Sequence, residues 1–558
     1  MVLSLLTLGA ALINLATALR ISVGISAAWL EGIYPIGGVS SQSRLLAACS
    51  SFLLIQLAGG LWRRKLLAWL LASLLVGVSA LHHTVALGQH REGLFCWVLL
   101  VLLLCWRRQF VARSDTPSVR QGLRVLVASL CFTLVYGVLG SYWLSVHSGL
   151  PFRAVIGLRQ SMALFFIDTL ALPQPHGRLA QEFAASITTL GFLTLSYSLL
   201  LLLRPVILRP ASTTAERARA AIVVERCGAS PLARIALMGS KSMLFSPSGQ
   251  SVLAYGVSGR GAIALGDPIG PAHEREGLIA SFRQRCLSND WLPAFYQVRP
   301  EGLDAYLQHG FRATVIGDEA IVDLQAFELA GAAGKRLRPA VNKLKRLGYS
   351  VALFFPPHYA PSLLKDLGRI SDDWLLRVGG HEKCFSVGLF RDLTSADAAL
   401  SVLLDPAGMP AAFVSLLSCC GGEELGIDQM RSDACVPSGA MDALLVDTIA
   451  QLRQRGILRL NLGLCALRHG GEQSDTSLEA KALAHLAGQL ERFYSFRGLE
   501  AFKSKFQPSW QPRYLVYPRL TSLSEVLTAL LRLESDGVAP YWGRLRRPSL
   551  ASNSNSSA

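Results

Sequence analysis

Apolar residues fall along this chain in two rhythms. Up to Arg209 they form long, nearly unbroken runs, and from Ala211 onward they form short runs divided by polar turns and amphipathic stretches. Six of the long runs approach the length needed to cross a hydrocarbon core of about 30 Å. They are Val2–Leu19, Leu45–Leu61, Leu66–Leu87, Gly93–Trp106, Leu123–Val146 and Phe183–Leu203. The first lacks the basic leader of a signal peptide and reads as a retained span. Gln160–Leu172 is apolar but interrupted, the pattern of an interfacial or re-entrant helix. His82 and His83 close the third run, where a helix end reaches the headgroups. Residues 1–210 are therefore expected to form an α-helical polytopic membrane domain of about six spans.

The second rhythm predicts strands alternating with helices. Strand-like runs are Ser251–Val257, Ala262–Leu265, Ala294–Gln297, Glu319–Asp323, Ser350–Phe354, Ala411–Ser418 and Leu458–Leu462, and helical periodicity covers 272–288, 301–309, 333–347, 361–376, 439–455 and 477–492. Ala211–Val224 reads as a linker helix. This alternation indicates α/β or α+β layers. The length suits two subdomains, 211–355 and 356–540, divided near Phe355-Pro356-Pro357-His358, with a disordered tail over 541–558.

Charge orients the two parts. The apolar part carries 16 Lys+Arg against 5 Asp+Glu, and the remainder 38 against 33. Arg63-Arg64-Lys65 follows the second run, and Arg107, Arg108, Arg113, Arg120 and Arg124 crowd the loop after the fourth. Positive loops face the cytoplasm, so both chain ends and the soluble part are expected there. The eleven cysteines show no C-x-x-C spacing, which argues for buried free thiols in a reducing compartment and against a metal site. Gly331-Ala-Ala-Gly334-Lys335 lacks the spacing and hydroxyl of a Walker loop, and no G-x-G-x-x-G follows a strand. Lys335, Arg336, Arg338, Lys343, Lys345 and Arg346 place six cations in twelve residues, suited to phosphates, to a lipid surface or to solvent.

Nine segments in order carry a family resemblance. They are GDPIGP (266–271), FYQV (295–298), Ile316–Gly348, Trp374-Leu375, EKCFSVGLF (382–390), DQMR (428–431), PSGAMDAL (437–444), NLGLCAL (461–467) and YSFRGLEAFKSKFQPSW (494–510). Together they resemble the aminoacyl-phosphatidylglycerol synthases, the multiple peptide resistance factor family. That resemblance implies a tandem acetyltransferase-like fold that takes aminoacyl-tRNA in place of coenzyme A. It implies transfer of Lys or Ala to the glycerol headgroup of phosphatidylglycerol, which lowers membrane negative charge and favours resistance to cationic peptides. Larger members add a multi-span flippase module upstream.

Exchanging one ester for another needs a base, donors for an oxyanion and positive charge for two polyanionic substrates, and calls for no cofactor or metal. By resemblance Asp428 and Arg431, three apart and close on a helical turn or loop, lie in the active site. Asp428 would bind the substrate amino group or act as base, against the alternative of a structural ion pair. Glu382 is supported by the family pattern, and His381 has the ordinary pKa of a general base. Lys503 and Lys505 alternate with Phe502 and Phe506, so an extended segment would turn both cations to one face as a contact for tRNA or lipid phosphate. Arg338, Asn342 and Lys343 are the remaining candidates for that role. The expected partners are aminoacyl-tRNA, phosphatidylglycerol and the bilayer, with a homo-oligomer open. A coenzyme A-dependent acyltransferase and a lipid transporter with a regulatory soluble domain are the competing readings.

Overall fold

In a computed structural model, the described residues are 4–8, 12, 44–81, 90–112, 114, 116–148, 153–165, 178–204, 212–331, 333–357, 359–378, 382, 385–393, 397–466 and 496–535. His82, His83, His381, the helical pattern 477–492 and the tail 541–558 lie outside them. The chain divides into two compact units, Met1–Ile207 with Leu287–Trp291, and Leu208–Cys286 with Leu292–Ala558.

The described part of the first unit is helical. Its helices are α1 (Arg44–Trp62), α2 (Leu66–Leu81), α3 (His90–Cys105), α4 (Thr116–Ser148), α5 (Ala154–Phe165) and α6 (Arg178–Leu202). Helices thus stand at five of the six expected spans, and the first expected span falls mostly outside the described residues. Two segments, Ser118–Trp143 and Glu182–Leu202, are long and apolar enough to cross a membrane. Small residues let α4, α5 and α6 approach closely. A Cβ on Gly137 would lie 1.8 Å from Ser161 Oγ, and one on Gly191 would lie 2.1 Å from the Phe165 carbonyl oxygen. Ser129 and Thr194 hydroxyls meet at 2.7 Å between α4 and α6. The outer side of α4 leaves Phe132, Val135 and Leu139 exposed, an apolar surface that suits lipid.

The second unit begins with α7 (Thr214–Cys227), capped reciprocally by Thr213 and Glu216, and α8 (Leu232–Leu237). Strands β1 (Ser242–Phe245), β2 (Val252–Ser258) and β3 (Gly261–Leu265) lead to α9 (Arg275–Ser288), β4 (Leu292–Val298), α10 (Leu303–Gln308) and β5 (Arg312–Asp323). Then follow α11 (Arg338–Arg346), β6 (Ser350–Phe354), α12 (Pro361–Val378), β7 (Ala399–Leu404), β8 (Pro410–Cys419) and β9 (Glu424–Ser432). The order ends with α13 (Ala440–Gln454), β10 (Arg459–Ala466), α14 (Phe496–Ser504), β11 (Ser509–Tyr517) and α15 (Leu523–Glu534).

Among the described residues, eleven strands join one sheet in the order β1-β2-β3-β4-β11-β5-β10-β9-β8-β7-β6. The last strand therefore lies between β4 and β5. Its pairing is antiparallel to both, and β5 in turn pairs with β10. Two neighbouring pairs are parallel, β3 with β4 and β9 with β10. Side-chain alternation buries both faces of the later strands. Leu400, Val402, Phe413 and Leu417 pack against Leu363, Leu367 and Ile370 of α12. Leu403, Ala412, Val414 and Leu416 pack against Val341 and Leu344 of α11 and Leu445 and Ile449 of α13. Fully burying such a side chain stabilises by about 1.5–3 kcal/mol, so this double-sided core fixes the strand register.

Candidate active site

Asp428 and Arg431 lie on a strand, β9, and not on a helical turn or loop. Strict alternation would put them on opposite faces of the sheet. A bulge prevents that. Val414 of β8 faces Met430, whereas Leu416, two residues on, faces Ile427, so β9 carries one extra residue between them. Ile427 and Met430 both pack on the α13 side. Asp428 and Gln429 then share the opposite face with Arg431, toward α12.

The three side chains converge on the 382–390 segment. The Gly388 N–H donates to Asp428 Oδ1 at 2.7 Å, and Gln429 Nε2 donates to the Gly388 carbonyl at 2.6 Å. The Gln429 backbone N–H is held by Ser415 Oγ at 3.0 Å. Arg431 donates from Nη2 to Glu382 Oε1 at 2.7 Å and from Nη1 to Ser371 Oγ on α12. Its guanidinium carbon stands 5.8 Å from the Trp374 ring centroid. Glu382 Oε1 also accepts from the Phe390 N–H at 3.0 Å. Phe385–Phe390 is a bend leading into a 3₁₀ turn, not the strand its apolar run suggested, and the turn aims the Gly388 and Phe390 amides at the two carboxylates.

Burial sets the electrostatics. Desolvation pushes the Asp428 carboxyl up to about 6, against the opposing pull of the Gly388 N–H, Arg431 and Lys241. Lys241 is itself buried, held by the carbonyls of Ile235 and Met238 at 3.0 Å each. Asp428 Oδ2 and Gln429 Oε1 are buried acceptors with no hydrogen-bond donor among the described residues. Each such oxygen can accept an incoming N–H or O–H group. A Cβ at position 388 would come within 2.6 Å of Asp428 Oδ2 and 2.5 Å of Met238 Sδ, so only glycine leaves that oxygen clear.

The predicted basic residues are distributed differently. Residues 496–504 form α14, so Lys503 and Lys505 do not alternate along an extended segment. Phe502 and Phe506 meet edge to face one helical turn apart, 5.6 Å between centroids, and that aromatic pair favours the helical turn. Lys503 is buried, with Nζ donating to the carbonyls of Gly463 and Leu464 on β10 at 3.0 Å each. A Cβ on Gly463 would stand 3.9 Å from both Lys503 Nζ and the Ile427 carbonyl oxygen, which sets Lys503 in the wedge where β9 and β10 part. Lys505 binds both oxygens of Asp442, at 2.8 and 3.0 Å. Arg338 closes the preceding loop through the Leu329 and Gly331 carbonyls, and Lys343 reaches Ser438 Oγ at 3.0 Å. Asn342 is exposed on α11. Arg338, Asn342, Lys343 and Lys505 therefore stand apart from the Asp428 cluster, and Lys503 borders it.

Gln429, Ser371 and Gly388 escaped the sequence reading. Gln429 sits inside the quoted DQMR motif, but only the bulge gives it the same face as its neighbour. Ser371 carried no signal, lying mid-helix ten residues before His381.

A family model described as "Phosphatidylglycerol lysyltransferase, C-terminal" matches residues 221–517. The chain belongs to this family. Every residue of the cluster lies within the matched stretch. Among curated relatives, the phosphatidylglycerol lysyltransferase of Bacillus subtilis (strain 168) is 29% identical over 325 residues, 58% of this chain and 38% of that protein. The one from Staphylococcus aureus (strain MRSA252) is 26% identical over 311 residues, 56% of this chain and 37% of that protein. The chain thus spans under two-fifths of the length of these relatives. Two solved structures share the fold. The C-terminal domain of a putative lysylphosphatidylglycerol synthetase from Agrobacterium fabrum is 33% identical, with a TM-score of 0.53, covering 59% of this chain and 99% of that one. L-PGS from Bacillus licheniformis is 29% identical, with a TM-score of 0.52, covering 57% and 96%. The C-terminal part of this chain thus has the fold of these two structures.

Proposed function

We propose that this chain transfers an aminoacyl group, Lys or Ala, from aminoacyl-tRNA to a glycerol hydroxyl of phosphatidylglycerol. The observation that carries the reading is Asp428, whose buried carboxyl, raised to about 6, keeps one oxygen unbonded beside Gln429 and Arg431. In the reaction the lipid hydroxyl oxygen bonds to the aminoacyl carbonyl carbon, and the bond from that carbon to the tRNA ribose oxygen breaks. The hydroxyl proton passes to Asp428 and on to the departing ribose oxygen. Arg431, oriented by Glu382 and Ser371, supplies positive charge for the oxyanion between those two events. Lys503 in the strand wedge adds a second cation near the substrates.

The same proposal takes the first 210 residues as a six-span, inner-membrane anchor with both ends cytoplasmic, where aminoacyl-tRNA is found. The apolar outer face of α4 and the arginine-rich loops support that placement. It also takes 211–355 and 356–540 as two acetyltransferase-like halves, each contributing one parallel strand pair. Lipid mass spectrometry of cells expressing the chain is the test. Aminoacyl-phosphatidylglycerol is expected with the wild type and absent with Asp428→Asn at equal protein level. A lipid profile identical in both strains would overturn the reading.

A further inference from the structure

The sheet opens twice. Beyond Asn461 and Gly426 the parallel pair β9/β10 parts, and the Asp428 cluster lies on β9 just past that point. The parallel pair β3/β4 is in register from Gly261 and Leu292 to Leu265 and Tyr296, then parts in the same way. At its open end lies a cleft of about 90 Å³, lined by the Gly266–Gly270 turn, Gln297, Arg275, Arg299 and Arg513. Crevices at the carboxyl ends of parallel strands are recurrent ligand sites.

Backbone strain marks this cleft. Against β11, strand β4 bulges between Tyr296 and Val298, so Gln297 is the extra residue, and its φ is 66°. Strand β10 bulges at the corresponding place against β5, and there Gly463 adopts φ 82°. Glycine takes that conformation without steric cost, whereas glutamine does not. A strained, 6% exposed glutamine at the mouth of an arginine-lined cleft points to a need for its side-chain amide.

The charges are incompletely matched. Asp267 accepts from the Arg299 N–H at 3.1 Å and the Tyr306 hydroxyl at 2.9 Å, and stands 3.5 Å from Arg299 Nε. Arg513, 3% exposed, donates to Glu319 through Nη2. The Nε atoms of Arg275 and Arg513 are buried without a hydrogen-bond partner among the described residues. Three guanidinium groups against two carboxylates, Asp267 and Glu319, leave net positive charge, with free donors that suit a tetrahedral oxyanion.

We infer that this cleft binds a phosphate group, separately from the Asp428 cluster. The group is either inorganic phosphate or the phosphodiester of a phosphatidylglycerol headgroup. The inference does not depend on the transfer reaction, because binding is measured without turnover.

The full-length protein in detergent is titrated with inorganic phosphate, followed by ³¹P NMR line broadening and calorimetry. Saturable binding is expected for the wild type and for Asp428→Asn, and at least about tenfold weaker binding for Arg275→Gln, which removes a donor to a charged ligand. Gln297→Gly is expected to weaken binding while thermal stability holds or rises, since it relieves the strained φ. Dihexanoyl-phosphatidylglycerol that displaces phosphate assigns the site to the lipid, and failure to displace assigns it to the free ion. No saturable binding at millimolar phosphate, or equal affinity in Arg275→Gln and wild type, overturns the inference.

Discussion

Under the proposed mechanism Asp428 links stability and activity through one proton. Its carboxyl is raised by burial, so the folded protein holds the proton more tightly than the unfolded chain does. This group's contribution to stability therefore grows as pH falls from about 6 toward 4, and the ionised form costs on the order of 2–3 kcal/mol at neutral pH. Asp428→Asn should flatten that part of the stability profile and raise the denaturation midpoint at pH 7, while abolishing transfer. A lower midpoint would show that the carboxylate stabilises the fold. Wild-type turnover should rise with pH through about 6, as a base must be unprotonated to act. Gly388→Ala should cut turnover at least about tenfold, because its methyl group would fall on Asp428 Oδ2. Turnover at wild-type level in that variant would mean the oxygen is not used.

At the scale of elements, Lys505 tests whether the segment after residue 496 serves phosphate or the core. Lys505 and Asp442 form a part-buried pair, 28% and 10% exposed at their side chains. Lys505→Met should destabilise by roughly 1–3 kcal/mol by leaving Asp442 without its cation, and Asp442→Leu in addition should recover part of that loss. Additive losses in a chemical-denaturation cycle would deny the coupling. The same segment shows what the sequence could and could not disclose. Ser350–Phe354 is the predicted strand, and 361–376 and 439–455 predict α12 and α13 within two residues, because each of these helices carries its buried apolar residues at helical spacing. Strands β1, β7, β9 and β11 were not read. Glu424–Ser432 mixes acidic, amide and basic residues with apolar ones, and its bulge breaks the alternation that would reveal it. The acid and the arginine of the cluster were legible as a motif. Their shared face was not, since it depends on one extra residue counted against a neighbouring strand.

For the whole molecule, the apolar first unit should matter most when the acceptor is in a bilayer. A 211–558 fragment covers the solved C-terminal relatives almost entirely and should modify short-chain phosphatidylglycerol at a rate close to full length. With acceptor in vesicles, full length should be faster by about tenfold or more, as tethering raises the effective concentration at the surface. Equal rates on vesicles would deny the first unit any part in meeting the substrate.

The placement of β11 between β4 and β5 also governs how this protein can be made. Strand β4 is complete at Val298, yet its neighbour begins at Ser509, more than two hundred residues later. As the chain leaves the ribosome, β4 and β5 each present an unpaired edge until that last strand arrives. A nonsense codon before Tyr517 would therefore cost more than the final helix. It would leave two open sheet edges near the middle of the fold, and the truncated product should be found in aggregates or degraded instead of partly active.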